Sequence, residues 1–166
     1  MKTNFKKYKF KIDENIDIKT IKTYQSIKLK MLKIDNEILL TCTNGGGDFS
    51  LYLQDRFLYF GIENETKRVS SFNGELTYLK IKTANLFLPK TIKNAILKLD
   101  TNDNLVAGTG SYIEFNKNDV FYDKEQKILQ IGRIIDADVI YKIFSNAFIQ
   151  IKNGEIEGLI LTEIEL

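Results

Sequence analysis

Apolar and charged residues alternate one for one along much of this chain, and that period limits its folding options more than any other feature. Tyr8, Phe10 and Ile12 alternate with Lys7, Lys9 and Lys11, and Ile27, Leu29 and Met31 alternate with Lys28 and Lys30. Residues two apart share one face of a strand, whereas a helix spreads them around its circumference. Each segment therefore reads as a strand with one wet face. Further strands are expected over Ile38 to Thr43, Phe49 to Leu53 and Phe57 to Ile62, with breaks at Asp35-Asn36 and Asn44-Gly45-Gly46-Gly47-Asp48.

Turn chemistry predicts how the strands connect. Asn73-Gly74 lies between Val69-Ser70-Ser71-Phe72 and Leu76 to Lys82, and Asn153-Gly154 lies between Phe148 to Ile151 and Ile156 to Leu161. Asn-Gly favours a type I′ hairpin, which needs positive φ at both central residues. A third hairpin is expected where Val120-Phe121-Tyr122 meets Ile128 to Ile131 across Asp123-Lys124-Glu125-Gln126. Two segments break the rhythm. From Asp136, the residues Val139, Ile140, Ile143, Phe144 and Ala147 recur at helical spacing behind acids suited to a helix start, which predicts one short α-helix at about residues 137–146. Residues 90–99, behind the lone Pro89, fit either a helical turn or an edge strand. The expected fold is mainly β: an antiparallel β-sandwich or partly open barrel of about nine to eleven strands, in a single domain over residues 1–166.

Composition closes off many chemistries. The 166 residues include one Cys and no His. No internal disulfide, Cys-rich metal cluster or His-based catalysis is available, and neither a metal nor a cofactor is expected. The net charge is +2, and arginine, which makes the bidentate phosphate and base contacts, contributes only Arg56, Arg68 and Arg133. No nucleic-acid partner is expected. The first residues carry bases but no apolar run of signal-peptide length, and no later segment approaches a membrane span, so the expectation is a cytoplasmic protein without a membrane partner. An Asn64-Glu65-Thr66 glycosylation sequon is then silent. Heavy use of Ile, Lys and Asn suits an AT-rich bacterial genome or its phage.

Several motif-like patterns fail on inspection. Asp100, Asn102 and Asn104 begin like a calcium loop, but Leu105 stands where glycine is needed and Ser111 where a bidentate glutamate is needed. Gly108-Thr109-Gly110-Ser111 lacks the Lys-Ser/Thr of a phosphate-binding loop and reads as a strand bulge or corner. Gly45-Gly46-Gly47-Asp48 reads as a wide hairpin loop, with the added property that its bare backbone lets another chain or ligand approach closely. Cys42 keeps phase with Ile38 and Leu40, which points it into the core, and no histidine is present to lower its pKa. No catalytic residue is assigned.

The partner-facing candidates come from aromatic content and charge. Tyr52 and Tyr59, with Tyr112, Phe121 and Tyr122, exceed what one thin sandwich must bury, and tyrosine is favoured at protein interfaces. Residues 1–33 carry 10 Lys against 3 acids, while the C-terminal stretch carries Glu155, Glu157, Glu163 and Glu165 with no base between them. The plain reading is two solvated faces; the sharper one places the two ends side by side. The four glutamates are expected on one strand face, either matched by internal lysines or free to dock a basic patch on a partner. Together these features point to a small, non-enzymatic binding protein that blocks another protein, of toxin-immunity or inhibitor type, with Glu155, Glu157, Glu163, Glu165, Tyr52, Tyr59 and Tyr122 as the contact set. The alternatives are a small-molecule-binding β-barrel or sandwich, and an enzyme using carboxylates or lysine. The sequence leaves the partner's identity and the oligomeric state open.

Overall fold

A computed structural model describes residues 8–53, 57–115 and 119–166. The chain opens with β1 (Phe10–Asp13) and a helix, α1 (Ile18–Gln25), followed by β2 (Lys28–Ile34), β3 (Glu37–Thr43), β4 (Phe49–Leu53), β5 (Phe57–Ile62) and β6 (Val69–Thr77). A single 3-10 turn leads to β7 (Ile81–Thr83), and after Pro89 come β8 (Ile92–Asn94) and β9 (Ile96–Leu99). The second half holds β10 (Gly110–Ile113), β11 (Val120–Asp123), β12 (Ile128–Gly132), β13 (Ile140–Phe144), β14 (Ala147–Lys152) and β15 (Glu155–Leu161). The expected mainly β class is what forms. Residues 90–99, which fitted a helical turn or one edge strand, hold two short strands, β8 and β9, in different sheets.

Two large sheets carry the architecture. One has six strands in the order β10-β4-β5-β6-β3-β2, the other seven in the order β7-β11-β12-β15-β14-β13-β8, and β1 pairs with β9 in a separate ribbon. Their inner faces share one core, in which Leu29, Leu40, Leu51 and Phe60 of the first sheet lie with Leu129, Ile149, Leu159 and Leu161 of the second. Neighbours are mostly antiparallel, as expected, but three edge strands pair in parallel: β10 with β4, β7 with β11, and β8 with β13. Each of these edges is short, which limits the unpaired backbone offered to another chain.

The inner strands of the seven-stranded sheet are buried on both faces. Its outer side carries Ile128, Ile140, Phe148 and Ile160, covered by Leu86, Leu88 and Ile134. Asp123 fixes this cover by accepting the N–H groups of Leu86, Glu125 and Gln126, and those bonds hold its carboxyl below the usual carboxylate range. Gln150, 1% exposed, clamps the 133–139 loop by taking the Ile135 N–H and donating to the Ile135 carbonyl.

Two local expectations need correction. Residues 137–146 form no helix; they hold β13 and the turn into β14. The register shift between Lys142 and Phe144 explains the misleading spacing, because a bulge plus burial on both faces imitates a helical period: Ile140 faces the outer cluster while Ile143 and Phe144 face the inner core. The α-helix instead lies at Ile18–Gln25, where Asp17 caps it by accepting the Thr20 N–H at 2.8 Å. Asn73-Gly74 is likewise no turn. Strand β6 runs straight through it, pairing Asn73 with Tyr59 and Gly74 with both Leu58 and Leu40.

The Asn153-Gly154 hairpin forms as expected, with Ile151 opposite Ile156, Lys152 opposite Glu155, and φ of 54° and 76° at the two turn residues. The hairpin of β11 and β12 also forms. The start of the described chain rests on the first of these turns. Phe10 donates its N–H to the Gly154 carbonyl, and the Lys9 ammonium reaches the Asn153 carbonyl rather than a glutamate.

Candidate functional site

Three tyrosines stand side by side across the six-stranded sheet. In β4 the residues Phe49, Leu51 and Leu53 are buried, which turns Tyr52 to the opposite face. Tyr52 pairs directly with Tyr59 on β5 and with Tyr112 on β10. The ring centroids of Tyr52 and Tyr59 lie 5.2 Å apart and those of Tyr52 and Tyr112 lie 5.3 Å apart, with tilts of 43° and 31°. Tyr52 and Tyr59 are half-buried, while Tyr112 at the sheet edge is 52% exposed.

The row is held in place by what surrounds it. Two residues along, the matching outward positions are Ser50, Gly61 and Gly110, none of them charged and none large enough to cover the rings. Gly110 is required there: a Cβ would come within 2.7 Å of the Ser50 carbonyl oxygen and 3.2 Å of the Tyr52 ring. Stacked neighbours of this kind contribute about 0.5–1.5 kcal/mol beyond burial and restrict each ring before any partner arrives. A pre-ordered aromatic row loses little side-chain freedom on binding, which is why tyrosine makes effective contact surfaces.

The other predicted contact residues do not join this row. Tyr122 lies on the seven-stranded sheet, where its hydroxyl donates to the Ile164 carbonyl at 2.7 Å and accepts the Leu166 N–H at 3.3 Å. It fastens the C-terminal segment. The four glutamates do not share a strand face. Ile151 pairs with Ile156 and Gln150 with Gly158, so Glu157 is the extra residue of a bulge and the side-chain alternation changes phase there. Glu163 and Glu165 lie beyond the end of β15. Ile156 faces the inner core, whereas Ile160 faces the outer cluster.

Two of these acids pair with lysines among the described residues. Glu163 pairs with Lys28 at 2.9 Å, and Glu165 pairs with Lys127. Hydrogen bonding from Lys127 holds the Glu165 carboxyl below its ordinary range, and the same contact raises the Lys127 ammonium. Glu155 stands opposite Lys152 across the hairpin. Among the described residues, matching by internal lysines is therefore seen for Glu163 with Lys28 and for Glu165 with Lys127.

Cys42 is partly buried against the core, as its phase predicts, and burial pushes its thiol up to about 11. Among the described residues, no group of three or more Cys, Asp or Glu side chains gathers within reach of one metal ion, and no helix is long and apolar enough to cross a membrane. The signal for the row was present in the sequence as surplus aromatics. What was missing was the pairing of β10 with β4, which brings Tyr112 to Tyr52 from 60 residues away. No protein-family model matches the chain, and no curated protein resembles it closely enough to count as a relative.

Proposed function

We propose that this chain is a non-enzymatic binding protein that docks through the Tyr112, Tyr52 and Tyr59 row onto another protein and blocks it, as toxin-immunity proteins and inhibitors do in a bacterial cytoplasm. The observation that carries this reading is the stacked row itself, open at the sheet edge and bounded on one side by small uncharged residues. Tyrosine clusters supply a large share of binding energy at protein interfaces. The contact moves away from the C-terminal glutamates, since Glu163 and Glu165 are engaged within the chain.

A photoreactive benzophenone side chain placed at Tyr112 in the native host tests the reading. The expected result is one discrete cross-linked protein whose activity the purified chain inhibits, with no such product from the same group at Lys124, which is exposed in the turn between β11 and β12 of the other sheet. Equal cross-linking from both positions, or none from Tyr112, would contradict it.

A further inference from the structure

Strand β2 is the long free edge of the six-stranded sheet. It runs for 7 residues, pairs with β3 on one side and, among the described residues, has no strand on the other. Its unbroken register with β3 fixes which backbone groups point outward. Successive residues of an antiparallel strand turn their N–H and C=O groups alternately toward one neighbour and the other. Leu29 faces away from β3, since both of its groups bond to Asn146 in the turn between β13 and β14, and Met31 and Lys33 share its phase. Past that turn, the N–H and C=O groups of Met31 and Lys33 therefore stand at the open edge.

Lysine commonly guards such an edge, but the guard here is incomplete. Leu32 is 59% exposed and Ile34 is 49% exposed, and the Lys33 ammonium between them lies 3.6 Å over the Tyr78 ring, which engages its charge within the chain. On the outer face of the sheet Leu32 stands beside Leu39 of β3, and Ile34 stands beside Glu37. Lys30 and Glu37 are both exposed, and neither forms an ion pair among the described residues.

We propose that a second copy of this chain pairs antiparallel along β2, from Lys30 to Ile34, and joins the two six-stranded sheets into one. The edge is complementary to itself. With the two-fold axis beside Leu32, Met31 of each copy exchanges both backbone hydrogen bonds with Lys33 of the other, and Leu32 meets Leu32. The outer row then runs Leu39, Leu32, Leu32, Leu39 across the seam. Lys30 of one copy lies beside Ile34 of the other, and the next strand over places Glu37 within the span of those two long side chains. The overlap ends where Asn146 already occupies Leu29, so the seam uses only the open part of the strand. Strand β10, which carries Tyr112, lies at the far end of the sheet order. The tyrosine row of each copy thus stays open, and the pairing and the row can fail separately.

Analytical ultracentrifugation of the purified chain, from low micromolar to about 0.5 mM, tests the pairing. The expected result is a reversible rise from one chain to two, with no larger species. Leu32→Lys sets two ammonium groups against each other at the axis and is expected to weaken the pairing about tenfold or more. Leu32 is exposed, so the urea midpoint measured at low concentration is expected to stay where it is. Disulfide mapping fixes the register. Under mild oxidation Leu32→Cys is expected to give a linked dimer, since directly opposed residues of a non-hydrogen-bonded pair have Cα atoms about 4.5 Å apart. Lys30→Cys is expected to link only when mixed with Ile34→Cys, and the parent chain, whose one thiol is partly buried, not at all. A single-chain mass at every concentration, a dimer indifferent to Leu32→Lys, or linkage from Lys30→Cys alone as readily as from Leu32→Cys would overturn the proposal. So would a single-chain mass with saturable binding of an acetylated Ile-Glu-Val-Val-Glu peptide, a result that gives the edge to a different protein.

Discussion

Asn146 binds Leu29 at both of its backbone polar groups: its side-chain carbonyl accepts the Leu29 N–H at 2.8 Å, and its amide nitrogen donates to the Leu29 carbonyl at 3.0 Å. The residue is wholly buried, and it also donates to the Thr162 carbonyl at 2.9 Å. Ser145 adds an N–H to the Ile27 carbonyl. The tight turn between β13 and β14 therefore locks β2 of one sheet to the C-terminal end of the other. Replacing Asn146 with Ala strands one buried donor and two acceptors, each costing about 1–3 kcal/mol, so a loss of roughly 3 kcal/mol or more is expected. Urea unfolding measures it; a loss under about 1 kcal/mol would show that water replaces the amide there.

Cys42 makes a comparable substitution in the ladder between β3 and β6. Its Sγ lies 3.2 Å from both the Phe72 carbonyl oxygen and the Phe72 nitrogen, and Asn73 Oδ1 accepts the Cys42 N–H at 3.0 Å. The thiol keeps its proton to about 11, whereas in the unfolded chain it ionises near 8.5, so the unfolded state binds fewer protons between those values. Stability is therefore expected to fall as pH rises across that window, with this part of the loss removed in Cys42→Ala. Alkylation of the native protein at pH 8 is expected to be much slower than that of the denatured chain. Rapid native labelling would show a thiol open to solvent and activated.

The Asn153-Gly154 turn has little room for change. Gly154 sits at a φ of 76°, and a Cβ there would stand 3.1 Å from the Lys9 side chain and 3.3 Å from the Phe10 carbonyl oxygen. Gly154→Val forces a β-branched residue into the left-handed region and is expected to cost more than about 1 kcal/mol, read from thermal or urea unfolding. An unchanged midpoint would mean that the turn adopts another form.

Tyr122 has a structural role that a conservative change isolates. Tyr122→Phe removes the hydroxyl that holds Ile164 and Leu166, with an expected cost of about 1 kcal/mol and faster amide exchange confined to the C-terminal segment. Partner binding is expected to be unaffected. Weakened binding at unchanged stability would return Tyr122 to the contact surface.

The two Asn-Gly pairs show what the sequence could and could not reveal. At residues 153 and 154 the dipeptide joins two strands that pair with each other, and the local preference decides the structure. At residues 73 and 74 the same letters lie in β6, a central strand with partners on both sides; Asn73 there accepts from Cys42, and Gly74 takes a φ of 138° that needs no turn. Tertiary pairing overrides local preference, and no window of sequence contains it. The period-two segments were legible because one wet face keeps them regular. Strands β13 and β15 were harder to read because bulges at Lys142 to Phe144 and at Glu157 change the phase, and because the covering segment around Leu86 and Leu88 makes the outer face apolar too. Helix α1 had a signal in Asp17 followed three residues later by Thr20, but its β-branched Ile and Thr content hid it. The tyrosines were visible as an excess, while their assembly depended on the parallel pairing of β10 with β4.

The central claim is that the tyrosine row, and not the C-terminal glutamates, makes the contact with a partner protein. Association kinetics with the cross-linked partner, measured at low and high salt, test it most directly. The expected result is that Tyr112→Ala weakens binding by about 2 kcal/mol, mainly through faster dissociation, while lowering stability by about 1 kcal/mol through the lost stacking on Tyr52, too little to unfold the chain. Binding by the wild type is expected to depend little on salt, and reversing Glu163 and Glu165 to Lys is expected to leave the association rate unchanged. Unchanged affinity in Tyr112→Ala, together with a salt-dependent association rate that falls on reversing the two glutamates, would contradict the account.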